Sequence, residues 1–332
     1  MPGPHFKTVR PFLPDIMFVY LPMQKILITG SNGLLGQKLV YKLKDKNNIT
    51  CMATARGQNR LVSKTGYHYT PLDITDAGNV ERTFKEFMPD VVINTAAMTN
   101  VDACETDKEG CWLMNVTGVE NQVNTLEELR KKNTSYTPRF IHLSTDFLFD
   151  GTHGPLDENA QRNPLSYYGE SKLAAEKIVE SSALHWAIAR TVLVYGIVDN
   201  MSRSNIVLWV KQNLEQGKQI NVVDDQFRTP TLAEDLADGC ILIAEKKARG
   251  VFNISGSEFL SILEIAHLVA DYYHLDKSLI KPSKSADINQ PAKRPPITGF
   301  IIDKAKTELG YKPHTFVEGI KFLEEQLKQM AG

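Results

Sequence analysis

From Lys25 to about Gly196 the apolar positions switch repeatedly between two spacings. Short apolar runs, KILITG, ITCMATA, YHYTPLD, DVVINTAA, RFIHLSTD and HWAIARTVLVYG, predict strands. Between them, spacings of three and four predict helices: one reaching about Lys46, one over AGNVERTFKEFM, a long one from Glu105 to Lys132, and one from Ser166. The strand runs are continuous rather than alternating, as strands covered by helices on both faces require. This repetition predicts an α/β fold with a doubly wound parallel sheet.

After Tyr195 the rhythm loosens into NIVLWVKQNLEQG, ADGCILIAEKKARG, the proline-rich QPAKRPPITG and a last amphipathic helix from about Thr315. The expected division is a sheet domain over 23–195 and about 219–256, and a smaller C-terminal substrate lobe over about 196–218 and 257–332. Residues 1–22 are read as a mobile N-terminal extension or a start-site artefact, because MQKILITG looks like a natural start and prolines 11, 14 and 22 break the preceding apolar patch. Those pieces are too short to span a bilayer, so no membrane contact is expected.

Composition narrows the function without naming it. A formal charge of -1, with 42% hydrophobic and 23% charged residues, leaves no basic footprint for nucleic acid. Cys51, Cys104, Cys111 and Cys240 form no CxxC pair and have no histidines at zinc spacing. They predict reduced thiols in a cytoplasmic protein and no metal site.

The candidate chemistry begins at ILITGSNGLLGQKLV, where Gly30, Gly33 and Gly36 follow a predicted strand and open a predicted helix. In that context missing Cβ atoms let the backbone approach a pyrophosphate facing the helix N-terminus. The sheet is therefore read as Rossmann-type, with Asn32, Leu34 and Leu35 completing the loop. The second strand ends in ATARGQNR, with Arg56 and Arg60 and no acid. A guanidinium there suits a 2′-phosphate, so NADP(H) is preferred and NAD(H) stays open. Asp73, beside Ile74 in PLDITD, has two readings: an acceptor for the adenine amino group, or a cap for the helix starting near Asp76. In SYYGESKLAAEK, Tyr168 and Lys172 are four apart on a predicted helix and share a face. A nearby ammonium favours phenolate, which makes Tyr168 a candidate proton donor.

Taken in order, ILITGSNGLLGQ, DVVINTAAMTNVDACE, NVTGVEN, HLSTDFLFDGTHGPLDENAQRNPLSYYGESKLAAEK, ARTVLVYG, DDQFRTPT and AKRPP resemble the extended short-chain dehydrogenase/reductase family, in its dTDP-4-dehydrorhamnose reductase-like branch. The resemblance runs from Lys25 almost to the C-terminus. It implies that Thr145 binds the substrate carbonyl, Tyr168 is the acid/base, and Lys172 binds the nicotinamide ribose while tuning Tyr168. Ala96 and Ala97 would lie along the cofactor with Met98 nearby, and Asn115 matches a family asparagine that also reads as helix packing. Asn205, Gln226, Arg228 and Arg294 fall in segments that in the family face the nucleotide-sugar, where amides and guanidiniums hold a diphosphate. Phe147 and Leu193 stand where rhamnose-forming members commonly carry Tyr and Trp, and LVYG is closer to a regulatory relative of methionine adenosyltransferase within the same branch. The activity implied is reduction of a nucleotide-linked 4-keto-6-deoxysugar, with a redox-neutral epimerase or a non-catalytic NADP-binding subunit as alternatives. A helix-mediated homodimer is the assembly usual in the family.

Overall fold

The structure, a computed structural model, describes residue 1 and residues 23–200, 205–288 and 290–331. The extension expected over 1–22 lies outside the described residues apart from Met1. Six strands, β1 (Gln24–Thr29), β2 (Ile49–Ala55), β3 (His68–Pro71), β4 (Val91–Asn94), β5 (Arg139–Thr145) and β6 (His185–Thr191), join Gly250–Asn253 in one sheet. From one edge the order is Gly250–Asn253, β6, β5, β4, β1, β2, β3, and every pairing is parallel. This is the expected Rossmann-type doubly wound α/β fold. Central β4 is buried throughout, matching its continuous VVIN, whereas β3 lies at the edge with both end residues exposed.

Helices α1 (Leu34–Leu43) and α2 (Ala77–Phe87) follow β1 and β3. The single helix expected from Glu105 to Lys132 is a chain of pieces: α3 (Val101–Thr106), α4 (Lys108–Trp112), a π turn at Leu113–Thr117, and α5 (Gly118–Lys132). Asp107 divides the first two, because its carboxylate accepts from the Gly110 amide at 2.9 Å and restarts the helix. The wide turn then carries Asn115 inward, a common use of a π bulge. Next come α6 (Tyr167–Ser181), α7 (Ile206–Glu215), α8 (Ala233–Glu245), α9 (Ile262–Tyr272) and α10 (Phe316–Ala331). Ser166 caps α6 through the Gly169 amide, which fixes the helix that presents Tyr168.

One apolar core lies under α1 and α8, and another under α2, α5 and α6. A further core gathers Val207 and Val210 of α7, Ile265 and Val269 of α9, and Phe316 and Ile320 of α10. Strand Ile220–Val223 pairs with Ile280–Ser283 and its Ile220 and Val222 pack in this core. This strand, within the expected stretch of about 219–256, thus packs with α7, α9 and α10 and not against the seven-stranded sheet. The apolar INVV run could not reveal which of two cores it faces. Among the described residues no helix is long and apolar enough to cross a membrane, and no group of three or more His, Cys, Asp or Glu could hold a metal.

Candidate active site

The strand order reverses between β1 and β4, and in open parallel sheets a ligand crevice forms outside the strand ends at that point. Gly30 leaves β1 at φ +71°, and a Cβ there would sit 2.7 Å from the Ala96 backbone nitrogen. Only glycine lets this turn lie against the chain emerging from β4. A Cβ on Gly36 would come within 2.4 Å of the Gly30 carbonyl oxygen, so that glycine seats α1 on the turn. Gly33 differs: it is exposed, and a Cβ would meet only the Gly30 oxygen, at 3.3 Å. It caps α1 without a side-chain hydrogen bond, and no acid stands in the first turn. The first amides of α1 thus keep their electropositive end toward an anion, and these residues fit a dinucleotide pyrophosphate.

Asn32 locks this loop to the end of β2, donating to the Gln58 carbonyl and accepting from the Arg60 amide, both at 2.9 Å. Leu34 and Leu35 are half-buried beside it. Arg56, Arg60 and Lys64 line an adjoining groove of about 690 Å³ whose lining includes no carboxylate. Asp73 accepts from the Thr75 amide and hydroxyl at 3.0 and 2.8 Å, whereas Asp76 caps α2. The cap reading of Asp73 is thereby corrected: its short side chain closes a turn ahead of the helix. Ile74 is buried against Gly118, where a Cβ would come within 2.6 Å of Ile74 Cδ1. Ala96, Ala97 and Met98 leave β4 half-buried. Asn115 grips Met98 from both sides, its Oδ1 accepting the Met98 amide at 2.7 Å and its Nδ2 donating to the Met98 carbonyl at 3.0 Å. It also donates to Ser171 Oγ at 3.0 Å, so it holds Met98 and ties it to α6.

Thr145, at the end of β5, Tyr168 and Lys172 come together as the shared helix face requires, and all three are buried. Tyr168 lies beside Thr145 and meets Phe147 edge to face at 5.7 Å. Burial pushes the Tyr168 phenol above its ordinary pKa, with Thr145 opposing. Lys172 does not offset this as the spacing suggested. Its Nζ donates to the Leu143 carbonyl at 2.6 Å and lies 3.2 Å from His142 Nε2. Burial brings the Lys172 pKa down to about 8, against the pull of Glu176.

The residues expected to face a diphosphate are engaged within the protein. Asn205 caps α7, accepting from the Val207 and Leu208 amides, and donates to the Gly196 carbonyl at 2.7 Å. Gln226 donates to Ser285 Oγ at 3.0 Å. The buried Arg228 holds the Phe227, Pro295 and Pro296 carbonyls and lies 3.6 Å from the Asp146 carboxylate. Arg294 makes a two-pronged pair with Asp102, at 3.1 and 2.7 Å, which holds that carboxyl below its usual range. Asp146, which accepts from Thr145 and Thr298, and His142 were missed by sequence reasoning, although both lie in the quoted HLSTD. A histidine inside a strand buried on both faces must find polar partners, and that was the available signal.

Comparison with known proteins agrees with this geometry. A dTDP-4-dehydrorhamnose reductase from Clostridium acetobutylicum superposes with a TM-score of 0.78 at 28% identity, covering 92% of this chain and 100% of that one. Methionine adenosyltransferase 2 subunit beta of Bos taurus is 31% identical over 269 residues, 80% of this chain and 76% of that protein. A probable low-salt glycan biosynthesis reductase of Haloferax volcanii is 28% identical over 299 residues, 90% of this chain and 96% of its own. The model of the RmlD substrate binding domain matches residues 23–329, and the chain belongs to that family.

Proposed function

We propose that the chain is an NADPH-dependent reductase of a nucleotide-linked 4-keto-6-deoxysugar, of the extended short-chain dehydrogenase/reductase type. The observation that carries this reading is the burial of Thr145, Tyr168 and Lys172 together at the strand ends, beside a glycine turn that leaves helix amides for a pyrophosphate. Bound there, NADPH would supply a hydride to the sugar carbonyl carbon. Gly33 and the first amides of α1 would hold its pyrophosphate, and Arg56 with Arg60 its 2′-phosphate. Thr145 orients the carbonyl oxygen, and Tyr168, its phenol kept protonated by burial, delivers the proton that completes the alcohol. Lys172 in its charged form stabilises the tyrosinate left behind. Asn115, through Met98, keeps the wall of the cleft in place. Arg294 and Arg228 are the cations nearest in kind to what a diphosphate needs, and Arg294 would exchange Asp102 for substrate. Four buried thiols and a surface without strong net charge fit a cytoplasmic enzyme, which we place as a homodimer.

The proposal is tested by supplying cofactor deuterated at its reactive carbon with a panel of nucleotide-linked keto-sugars; deuterium should appear at one sugar carbon. The likeness to methionine adenosyltransferase 2 subunit beta favours a second reading, a cofactor-binding subunit of a larger enzyme. Under that reading no sugar takes up deuterium, and the chain instead associates with a methionine adenosyltransferase catalytic subunit.

A further inference from the structure

Arg60 stands on an irregular stretch, residues 56–67, past the end of β2, where no strand or helix ladder holds the backbone. A guanidinium on a free loop would have to be ordered each time it met an anion, and that ordering would subtract from binding. This loop is held from two directions. From the glycine turn, Asn32 accepts from the Arg60 amide and donates to the Gln58 carbonyl, both at 2.9 Å. From far along the chain, Asn200 Nδ2 donates to the Arg60 carbonyl at 3.1 Å, and the Asp199 carboxylate accepts from the Val62 amide at 2.7 Å. Both polar groups of the Arg60 backbone are thereby taken, one by each anchor. These partners lie 137 and 140 residues from the loop, which is why ATARGQNR alone does not show them.

Asp199 is itself fixed. Its amide donates to Gln37 Oε1 at 2.8 Å, its carbonyl accepts from Gln37 Nε2 at 3.3 Å, and the Tyr41 hydroxyl donates to its carboxylate. Burial, reinforced by Asp199, raises the Tyr41 pKa to about 12, so the phenol remains a donor. Gln37 Nε2 also reaches the Asn32 carbonyl at 3.3 Å, which joins the two anchors on α1. Just before Asp199, Tyr195 and Ile197 are buried in the core of α7, α9 and α10, and Asn205 holds the Gly196 carbonyl. Asn200 lines the groove with Arg56, Arg60 and Lys64, whereas Asp199 does not. The Asp199 charge is therefore directed at the Val62 amide and Tyr41 and leaves the groove cationic.

We infer that Asp199 and Asn200 are positioning residues for the cofactor's 2′-phosphate: by holding the Val62 amide and the Arg60 carbonyl they set the Arg60 guanidinium on the groove that Arg56 lines, and so set the preference for NADPH over NADH. The ligand rests on the reading of that groove as the 2′-phosphate site; the grip on the loop does not. NADH presents a hydroxyl at the same place and gains little from a placed guanidinium, while its pyrophosphate meets a turn that Gly30 and Gly36 pack independently.

The test is cofactor titration of the full chain, combined with amide hydrogen exchange in the absence of cofactor. Asp199→Ala should raise the Kd for NADPH about tenfold and leave that for NADH within about twofold. Asp199→Asn keeps an oxygen for the Val62 amide and the Tyr41 hydroxyl and should recover most of the loss. Asn200→Ala removes a neutral hydrogen bond and should cost about threefold for NADPH. The Val62 amide should be protected in wild type and exchange at least about tenfold faster in Asp199→Ala, while the amides of β1 and β4 keep their rates. Asp199→Ala with wild-type NADPH affinity would overturn the inference, as would equal losses for the two cofactors, which would make Asp199 a support of the glycine turn alone, or a Val62 amide that exchanges freely in wild type. Arg60→Ala and Arg56→Ala test the groove separately. If both leave NADPH affinity untouched, the 2′-phosphate reading falls, and the Val62 exchange rates still confirm or refute the grip of Asp199 on the loop.

Discussion

At the scale of single residues the site is organised by what burial does to charge. Lys172 is enclosed, and its pKa falls from the ordinary 10.5 to about 8. The unfolded chain therefore holds a proton there that the folded chain has released between those values, so this group adds stability as pH rises from about 8 toward 10.5. Lys172→Met removes that dependence. The difference in unfolding free energy between wild type and variant should shift toward wild type by about 3 kcal/mol across the window, at 1.36 kcal/mol per tenfold change in proton affinity. Taking the difference cancels the cysteines and tyrosines that titrate in the same range. A flat difference would mean that Lys172 is solvated. Arg56 carries the second residue-scale expectation: Arg56→Ala should weaken NADPH binding about tenfold, the scale of a charge-assisted hydrogen bond, while NADH affinity holds. That Tyr168 and Lys172 share a helix face was legible because a four-residue spacing is a local pattern, whereas Thr145 was singled out by the family resemblance alone. The engagement of Arg294 by Asp102 was not legible, because those partners lie 192 residues apart.

At the scale of elements, three glycines in one loop do different work, which spacing alone could not distinguish. Gly36→Ala places a methyl group where backbone already lies, within 2.4 Å of the Gly30 oxygen, and should lower the unfolding temperature markedly. Gly33→Ala has room at 3.3 Å and an extended backbone, φ −83° and ψ 172°, that any residue adopts. It should fold as wild type and bind NADPH poorly; calorimetry and cofactor titration on the two variants separate the roles. Equal melting points would contradict the packing account of Gly36. Six of the seven strands of the sheet were legible as short apolar runs; the edge strand Gly250–Asn253 was not among those expected. The break at Asp107 and the wide turn at 113–117 were not legible either, since KEGCWLMNVT keeps helical spacing through both. Only the Asp107 bond to Gly110 and the tie from Asn115 to Met98 mark them.

At the scale of the whole molecule, the sheet and the C-terminal segments meet beside Thr145. Asp146 accepts from Thr145 on one side and from Thr298 on the other, with Arg228 between it and the Pro295 and Pro296 carbonyls. Arg228→Met would leave Asp146 buried without its cation and should cost about 3 kcal/mol or more in urea unfolding; an unchanged midpoint would show the pair to be dispensable. Fold and family follow from many motifs in one order, but a substrate does not follow from either. The central claim, that this chain reduces a nucleotide-linked keto-sugar with Tyr168 as proton donor, is tested most directly by Tyr168→Phe. NADPH oxidation with a dTDP-4-keto-6-deoxysugar should proceed in wild type and fall by roughly 10² or more in the variant, while NADPH affinity and folding stay intact. Wild type that binds NADPH yet oxidises it with no nucleotide-linked keto-sugar, together with a variant indistinguishable from it, would contradict the account.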